Sequence, residues 1–490
     1  MRRPLGNRFQ RLVAAFVFGC ATLGVAIPAA EAGGIADDCC ADLEGRIAEL
    51  EATTVLRGNR KLEMDIGGTV SHAALSWDDG QNSDTYIVGN DNDGTSFEIV
   101  GEVADINNSN WSAGYLIEVG MLTAQSSEVN QIDDNAREAG TLEINESHIW
   151  VRNKNLGQLS WGEVGGSSDV DDATEMDLSE TRVVAFSGVE DIGGNFFLRR
   201  SRTKGAEGLT PVVWADLIDH LPGVDGSIVR YDTPIRRGFG GWAESGQGPQ
   251  WEVVLAYNDP ATLQEAEEGE GVEEEETTTP QAAMIDGFLL AAAITYHEMN
   301  GGNGIDESGE RVVNFSEDLP DNRNVAGSAS ILHQATGLNL TVAGGERFFT
   351  ERVELNDGRF GKPQDASFYY IKPGMLINMI TAGHTAFYAE YGKWRDFLGR
   401  NADAEAVGGL VGFDEENVCA AGEACLISGS EATIWGFGVV QKIKSAEMEL
   451  FLGFRLYQAD VNLVDEARAK LPSVALDDFA TVMSGAVIEF

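Results

Sequence analysis

The sequence predicts an all-β protein, an antiparallel transmembrane β-barrel with a short N-terminal coiled-coil helix. Three observations predict it: an N-terminal segment of the export type, apolar and polar residues that alternate with period two, and a last strand that ends on an aromatic residue. Alternation with period two places one apolar and one polar face on each strand. A barrel built from such strands closes on itself and leaves no unpaired backbone edge in lipid.

Residues 1–32 have the layout of a secretory signal peptide. Four arginines flank the start of an apolar run, residues 12–27, and Ala30 and Ala32 supply the small residues of a cleavage site ahead of Gly33. The alternative is a transmembrane anchor, but the run is shorter than the roughly 20 residues that a spanning helix needs. We therefore expect the chain to be exported and the signal peptide to be removed.

Composition and charge exclude some classes of function. The formal charge is −45, from 34 basic and 79 acidic residues, so nucleic acid binding is electrostatically disfavoured and cations are attracted instead. The 58 glycines favour a chain with many turns. Five cysteines are few for a disulfide scaffold, although Cys419 and Cys425 are spaced to close a small ring. The scattered histidines predict no metal site, and no cofactor is expected.

Residues 33–58 contain a short amphipathic helix, predicted to be a periplasmic coiled-coil segment. Its seam positions are spaced three and four apart and are Cys40, Leu43, Ile47, Leu50 and Thr54. Because two heptads are marginal in isolation, this helix is expected to need partner helices. A helix that merely links two parts of the chain is the alternative.

Residues 59–490 are predicted to form the barrel. A representative strand has Trp251, Val253, Leu255 and Tyr257 on one face. Tight turns at 153–155 and 372–374 contrast with long polar stretches at 265–280 and 301–324, as barrels of this kind show. Aromatic residues near predicted strand ends are expected in interfacial girdles: Trp77, Trp150, Trp161, Trp394 and Trp435. The last strand places Val482, Ser484, Ala486, Ile488 and Phe490 on one face.

Several segments resemble the porins of alphaproteobacteria. They are DCCADLEGRIAELEATT from Asp38, GNRKLEMDIGG from Gly58, VRYDTP from Val229, GSASILHQATGLNLTVAGG from Gly327, TAFYAEYGKWRDFLG from Thr385, WGFGVVQKI from Trp435 and LDDFATVMSGAVIEF from Leu476. The resemblance implies a 16-stranded barrel in the outer membrane, a homotrimer, and a water-filled channel for passive diffusion of small hydrophilic solutes and ions. It implies no enzymatic activity. The chain departs from the family at the Glu-rich insert 265–276 and at the loop with the paired cysteines.

Porins narrow their lumen with one long loop, and the resemblance implies that this loop spans about residues 165–180 here. The expected constriction residues on the loop are acidic: Asp169, Asp171, Asp172, Glu175, Asp177 and Glu180. Alternation along the strands predicts that Arg152, Arg230, Glu390 and Arg455 point into the lumen. An acidic loop opposite basic wall residues would select solutes by size and charge.

Other readings stay open. A plugged barrel acting as a surface adhesin or structural protein would use the long loops, and a barrel enzyme would need a nucleophile with a histidine at one rim. A soluble β-sandwich shows the same alternation of residues. The expected partners are outer-membrane lipids, lipopolysaccharide and further copies of this chain. The Glu-rich insert would either bridge lipopolysaccharide through divalent ions or be a solvated loop.

Overall fold

A computed structural model of the chain describes residues 62–490, except 104–105, 107–108, 123, 135–140, 165–172, 202–207, 219–220, 222, 225, 247–249, 259–286, 300–303, 306–310, 313–320, 351–352, 355–359, 363, 399–425 and 465–474. The predicted signal peptide and coiled-coil helix lie outside the described residues. So do Asp169, Asp171 and Asp172 of the expected constriction loop, and the cysteine pair Cys419 and Cys425.

Sixteen antiparallel strands form one closed barrel; alternation predicts the barrel, and the resemblance implies the number of strands. The main sheet has seventeen strand segments, and two of them are consecutive parts of a single barrel strand that both pair with the first strand. The strands are β1 (Glu63–Asp78), β2 (Ser83–Val88 and Ser96–Val103), β3 (Trp111–Leu122), β4 (Thr141–Asn153), β5 (Gly157–Glu163), β6 (Ser227–Asp232), β7 (Phe239–Ser245), β8 (Gln250–Tyr257), β9 (Phe288–Met299), β10 (Asn322–His333), β11 (Leu338–Phe349), β12 (Ala366–Ile380), β13 (Gly383–Arg395), β14 (Leu426–Ile443), β15 (Met448–Val464) and β16 (Phe479–Glu489).

The barrel closes where the first strand meets the last. β1 pairs with β16 in a continuous antiparallel register from Thr69 opposite Glu489 to Asp78 opposite Ala480. β2 is interrupted by a 3-10 turn at Asp91–Asp93, and both of its segments keep their pairing with β1. Because every strand has a neighbour on each side, the sheet has no free edge.

The connections differ between the two ends of the barrel. We call the end that carries Phe490 the turn end, and the opposite one the loop end. Connections at the turn end include 154–156, 334–337, 381–382 and 444–447, whereas the loop end carries 164–226, 300–321 and 396–425. One expectation about connections is wrong, because residues 372–374 lie inside β12 rather than in a turn. The Glu-rich insert 265–276, which the chain carries between β8 and β9, lies outside the described residues.

The outer face of the barrel is apolar. Ile66 and Leu255 are 64% and 63% exposed there, which would be costly in water but is favourable in lipid. Aromatic side chains on the outer face lie near both ends of the strands. Those near the turn end are Trp111, Tyr231, Phe239, Phe288 and Phe490, and those near the loop end are Trp161, Trp251, Tyr296, Tyr369 and Tyr391.

Three of the five tryptophans expected in these girdles point inward instead. Trp77, Trp150 and Trp394 are buried, because each belongs to the strand face that the barrel interior covers. A tryptophan near a strand end is therefore assigned to a girdle only when its parity places it on the outer face. Among the residues that the structure describes, no helix is both long and apolar enough to cross a membrane.

Candidate functional site

The connection between β5 and β6 folds into the barrel. We call residues 173–201 and 208–218 of this connection the interior loop. It begins against β10, where the backbone N–H groups of Met176 and Leu178 donate to Ser328 Oγ and Ser330 Oγ at 2.9 and 3.0 Å. These serines lie on the inner face, so small polar side chains of the wall bind the loop backbone and hold it inside.

A buried ion pair anchors the loop to β12. Lys372 Nζ donates to Asp177 Oδ2 at 2.6 Å and also to Thr181 Oγ1 and the Ala185 carbonyl. Burial raises the pKa of the Asp177 carboxyl, but the Lys372 ammonium and hydrogen bonds from Lys372, Thr341 and Ser179 lower it further, so its pKa lies below its ordinary value. The carboxylate is therefore charged at neutral pH, and both ions are satisfied within the barrel.

A second buried ion pair anchors the loop to β13 and β15. Arg455 Nε and Nη2 donate to the two carboxylate oxygens of Glu390 at 2.8 and 3.2 Å. Arg455 Nη1 donates to the Val189 carbonyl at 2.9 Å, and Tyr370 donates to Glu390 Oε2 at 2.8 Å. Arg455 thus holds the loop, Glu390 holds Arg455, and neither charged side chain projects into open solvent.

The rest of the interior loop builds an apolar core within the barrel. Phe196 packs on Phe479 and Trp77 with ring centroids 4.8 and 5.3 Å apart. Trp214 packs on Tyr457 at 5.5 Å. All five rings are almost fully buried, and aromatic contacts of this kind add to the free energy of burial. The loop therefore fills the part of the lumen beside β13–β16 and β1.

The inner wall of β2–β6 is covered less. Its charged side chains keep access to solvent: Glu98, Glu118, Glu146, Arg152 and Arg230. On the opposite wall Asn324, Arg347 and Lys372 are completely buried. The solvent-accessible part of the lumen therefore runs along β2–β6, with the interior loop as its other side.

Charged groups of the interior loop and of the inner faces of β2, β3, β14, β15 and β16 interact with one another. Asp93 interacts electrostatically with Glu118, Arg182, Glu449 and Glu489. Glu180 and Lys442 both interact with Glu449, and Lys442 Nζ lies 3.5 Å from its carboxylate. We call this set the charged ring; its members are Asp93, Glu118, Glu180, Arg182, Lys442, Glu449 and Glu489. Carboxylates outnumber cations in the ring, so its potential favours cations.

The predicted loop residues that the structure describes have three different environments. Glu175 is nearly buried and pairs with Arg182 at 2.5 Å. Asp177 is in the buried anchor. Glu180 is 39% exposed, and a carboxylate oxygen lies 3.2 Å from His384 Nδ1. Of these, Glu180 is the carboxylate that reaches the solvent-accessible path.

The predicted wall residues all lie on the inner face. Arg152 lies over the Trp150 ring at 4.9 Å and donates to Gln158, and Arg230 lies over Trp242 at 4.5 Å and donates to Asp232. Glu390 and Arg455 form the second anchor. The structure therefore separates the four into two residues of the accessible wall and two that position the loop.

Sequence reasoning missed residues that are important inside the barrel. Lys372 was assigned to a turn, because Pro373 and Gly374 resemble turn residues. The prediction also overlooked Glu98 and Glu118, although each alternates with outward apolar neighbours such as Ile99 and Ile117 and strand parity alone would have found them. Arg182 is in a loop, where no periodic signal exists.

Among the described residues, no group of three or more His, Cys, Asp or Glu side chains is arranged to hold a metal ion.

Comparison with solved structures finds similar folds at low sequence identity. The chain is similar to an anion-selective porin from Comamonas acidovorans, with a TM-score of 0.48 and 13% identity over 88% of this chain and 100% of that one. It is also similar to OmpT of Vibrio cholerae in its trimer form, with a TM-score of 0.46 and 10% identity over 88% of this chain and 99% of that one. Similarity to OprB of Pseudomonas putida has a TM-score of 0.46 and 8% identity over 92% of this chain and 97% of that one. Similarity at this level transfers no function.

No protein-family model matches the chain, and comparison with curated protein sequences gives no match.

Proposed function

We propose that this protein is an outer-membrane channel through which small hydrophilic solutes and ions diffuse passively, without a chemical reaction or a cofactor. The observation that carries the proposal is the contrast between the two faces of the barrel. The outer face is apolar, while the inner wall of β2–β6 keeps solvent-accessible charges beside a loop that narrows the lumen. That is the arrangement of a water-filled pore in lipid.

The sign of the charged ring supports a preference for cations. Glu118, Glu180, Glu449 and Glu489 supply the negative charges, whereas Arg182 and Lys442 supply the permanent positive charges. A confined ring with excess negative charge concentrates cations and repels anions. The formal charge of −45 for the whole chain acts in the same direction.

The outer face also suggests a lipid partner. A groove of about 480 Å³ lies near the loop end, where apolar and charged side chains adjoin: Val325, Phe348 and Tyr369 beside Glu346, Lys393 and Arg395. Acyl chains fit the apolar part, and the phosphates of lipopolysaccharide fit the cationic part. Membership of the alphaproteobacterial porin family, export by residues 1–32 and trimer formation are further proposals, based on the sequence motifs.

Planar bilayer recordings of the detergent-purified protein test the proposal. We expect stepwise conductance, and under a salt gradient we expect a reversal potential that favours cations. Steps grouped in threes would support a trimer of conducting barrels. A folded, heat-modifiable protein that gives no conductance would contradict the channel.

A plugged barrel is the second candidate, favoured by the apolar core that the interior loop forms inside the lumen. Phe196 and Trp214 are packed there as tightly as in the core of a soluble protein. The same recordings decide between the two, because a plugged barrel is silent until the loop is removed. Deletion of residues 183–214 would then open a large conductance in a protein that had none.

A further inference from the structure

Three polar side chains form a cross-strand row on the inner wall near the loop end. His297 of β9 lies directly opposite Asn324 of β10, and Asn324 lies opposite Arg347 of β11. All three residues are completely buried. Paired positions on one sheet face bring side chains into contact, and here the contacts are hydrogen bonds.

The hydrogen bonds of the row determine where its protons are. Arg347 Nε donates to Asn324 Oδ1 at 3.2 Å, so the amide oxygen faces the arginine and the amide NH₂ faces the histidine. Asn324 Nδ2 lies 3.2 Å from His297 Nδ1. Since an amide NH₂ only donates, Nδ1 must accept, and the proton of the neutral ring is on Nε2.

The row leaves three nitrogen donors on Arg347 and His297. Arg347 Nη1 and Nη2 and His297 Nε2 are buried and have no hydrogen-bond partner among the described residues. The two residues are near enough to interact electrostatically, and an arginine keeps its charge in proteins. A buried guanidinium without a counter-charge is strongly unfavourable, most of all when its two NH₂ groups and the neighbouring His297 Nε2–H have no hydrogen-bond acceptor.

The nearest carboxylate along the row does not fill this role. Glu252 of β8 lies opposite His297 on the same face, where its Oε1 accepts a hydrogen bond from Thr295 Oγ1. Because β8 is three strands from β11, about 14 Å of sheet separate this carboxylate from Arg347. Glu298 is adjacent in sequence, but it is on the outer face, where it pairs with Arg323. Neither acid therefore supplies the counter-charge for the buried guanidinium of Arg347.

We propose that this row binds one small inorganic anion, held by Arg347 Nη1 and Nη2 and by His297 Nε2, with Asn324 orienting both side chains. An anion satisfies three donors and one positive charge together, whereas a neutral water leaves the charge unbalanced. The site lies on the wall opposite the charged ring, and it concerns stability of the barrel rather than passage of solutes.

Anion-dependent stability of the full-length protein tests this site. The midpoint temperature of heat modification is measured at constant ionic strength while chloride replaces gluconate, which is too bulky for a buried site. A ligand that binds only the folded state raises the midpoint with its concentration. We expect a saturable rise for the wild type with chloride, and inorganic phosphate added in place of chloride shows whether an oxyanion is also accepted.

Two variants and one control assign the effect to the row. Asn324→Asp places a permanent carboxylate beside the guanidinium and is expected to abolish the chloride response while Arg347 is kept. Arg347→Met is expected to abolish it as well, with a midpoint in gluconate no lower than that of the wild type. Arg323→Met, one residue away on the outer face, should respond like the wild type.

Broadening of the chloride NMR line by the protein gives a direct measure of binding, and it should be smaller for Asn324→Asp than for the wild type. A wild-type midpoint that does not depend on chloride or phosphate would overturn the proposal. A chloride response that persists in both row variants would overturn it too, because the anion would then bind elsewhere.

Discussion

At the scale of single residues, the side of the sheet decides what a charge does. Lys372 and Lys393 lie on neighbouring strands, and each pairs with a carboxylate at 2.6 Å. Lys372 is completely buried on the inner face, whereas the Lys393 pair is partly exposed on the outer face. The two ion pairs have equal distances, but loss of one partner costs much more free energy of unfolding in the buried pair than in the exposed pair.

Replacement of a ring carboxylate tests the proposed selectivity. Glu118→Gln removes one negative charge from the charged ring without changing the size of the side chain, so the reversal potential should shift away from cation preference. The shift should be larger at 0.1 M than at 1 M salt, because the screening length falls from about 10 Å to about 3 Å. Glu346→Gln on the outer face is the matched control, and an equal shift in both variants would contradict a role of the ring.

At the scale of elements, the interior loop is held by few strong contacts rather than by regular structure. Its described part contains a short α-helix, Ala215–Ile218, a 3-10 helix, Val189–Asp191, and a small ladder between Phe197–Arg199 and Leu209–Val213. The anchors at Asp177 and Arg455 hold the loop in place of regular structure, because each joins the loop to two or more strands of the wall. Loss of an anchor is therefore expected to release the loop locally.

Removal of the first anchor tests this. Lys372→Met leaves the Asp177 carboxylate buried without its cation and should cost about 3–5 kcal/mol in the free energy of unfolding. Lys393→Met on the outer face should cost only about 0–1 kcal/mol. Denaturant unfolding in detergent gives both values, and bilayer recordings should show noisier or larger steps for Lys372→Met only. Similar costs for the two variants would mean that the buried pair does not hold the loop.

At the scale of the whole molecule, closure of the sheet depends on pairing between the first and the last strand. β1 and β16, the first and last strands of the barrel, pair with each other. The last strand must therefore be synthesised before the barrel can close. Non-local pairing of this kind makes folding slow. The helix predicted at residues 33–58 precedes β1 and would act on assembly of barrels, not on closure of one.

Deletion of residues 38–54 separates assembly from folding. We expect a lower yield of trimer on semi-native gels and after cross-linking, because the coiled-coil seam would be lost. Heat modification of the monomeric barrel should not change, since β1 begins at Glu63. A deletion variant with the trimer yield and thermal resistance of the wild type would contradict a role of this helix in trimer assembly.

The sequence by itself determined the class of fold, because each barrel strand repeats one local rule. Alternation with period two assigned Arg152, Arg230, Glu390 and Arg455 to one face, the face that lines the lumen in the structure. The same alternation could have identified Glu98 and Glu118. Periodicity reports the face of a residue, since a strand places successive side chains on opposite sides.

Only the tertiary structure decided which of these inward residues meet solvent. Arg455 and Arg230 share the same parity, but the interior loop covers Arg455 and leaves Arg230 accessible. The loop has no period, and its course depends on contacts with Ser328, Ser330 and Lys372, more than a hundred residues away in sequence. Non-local contacts of a non-repeating segment leave no local pattern, which is why the pore lining and the anion row appeared only in the folded barrel.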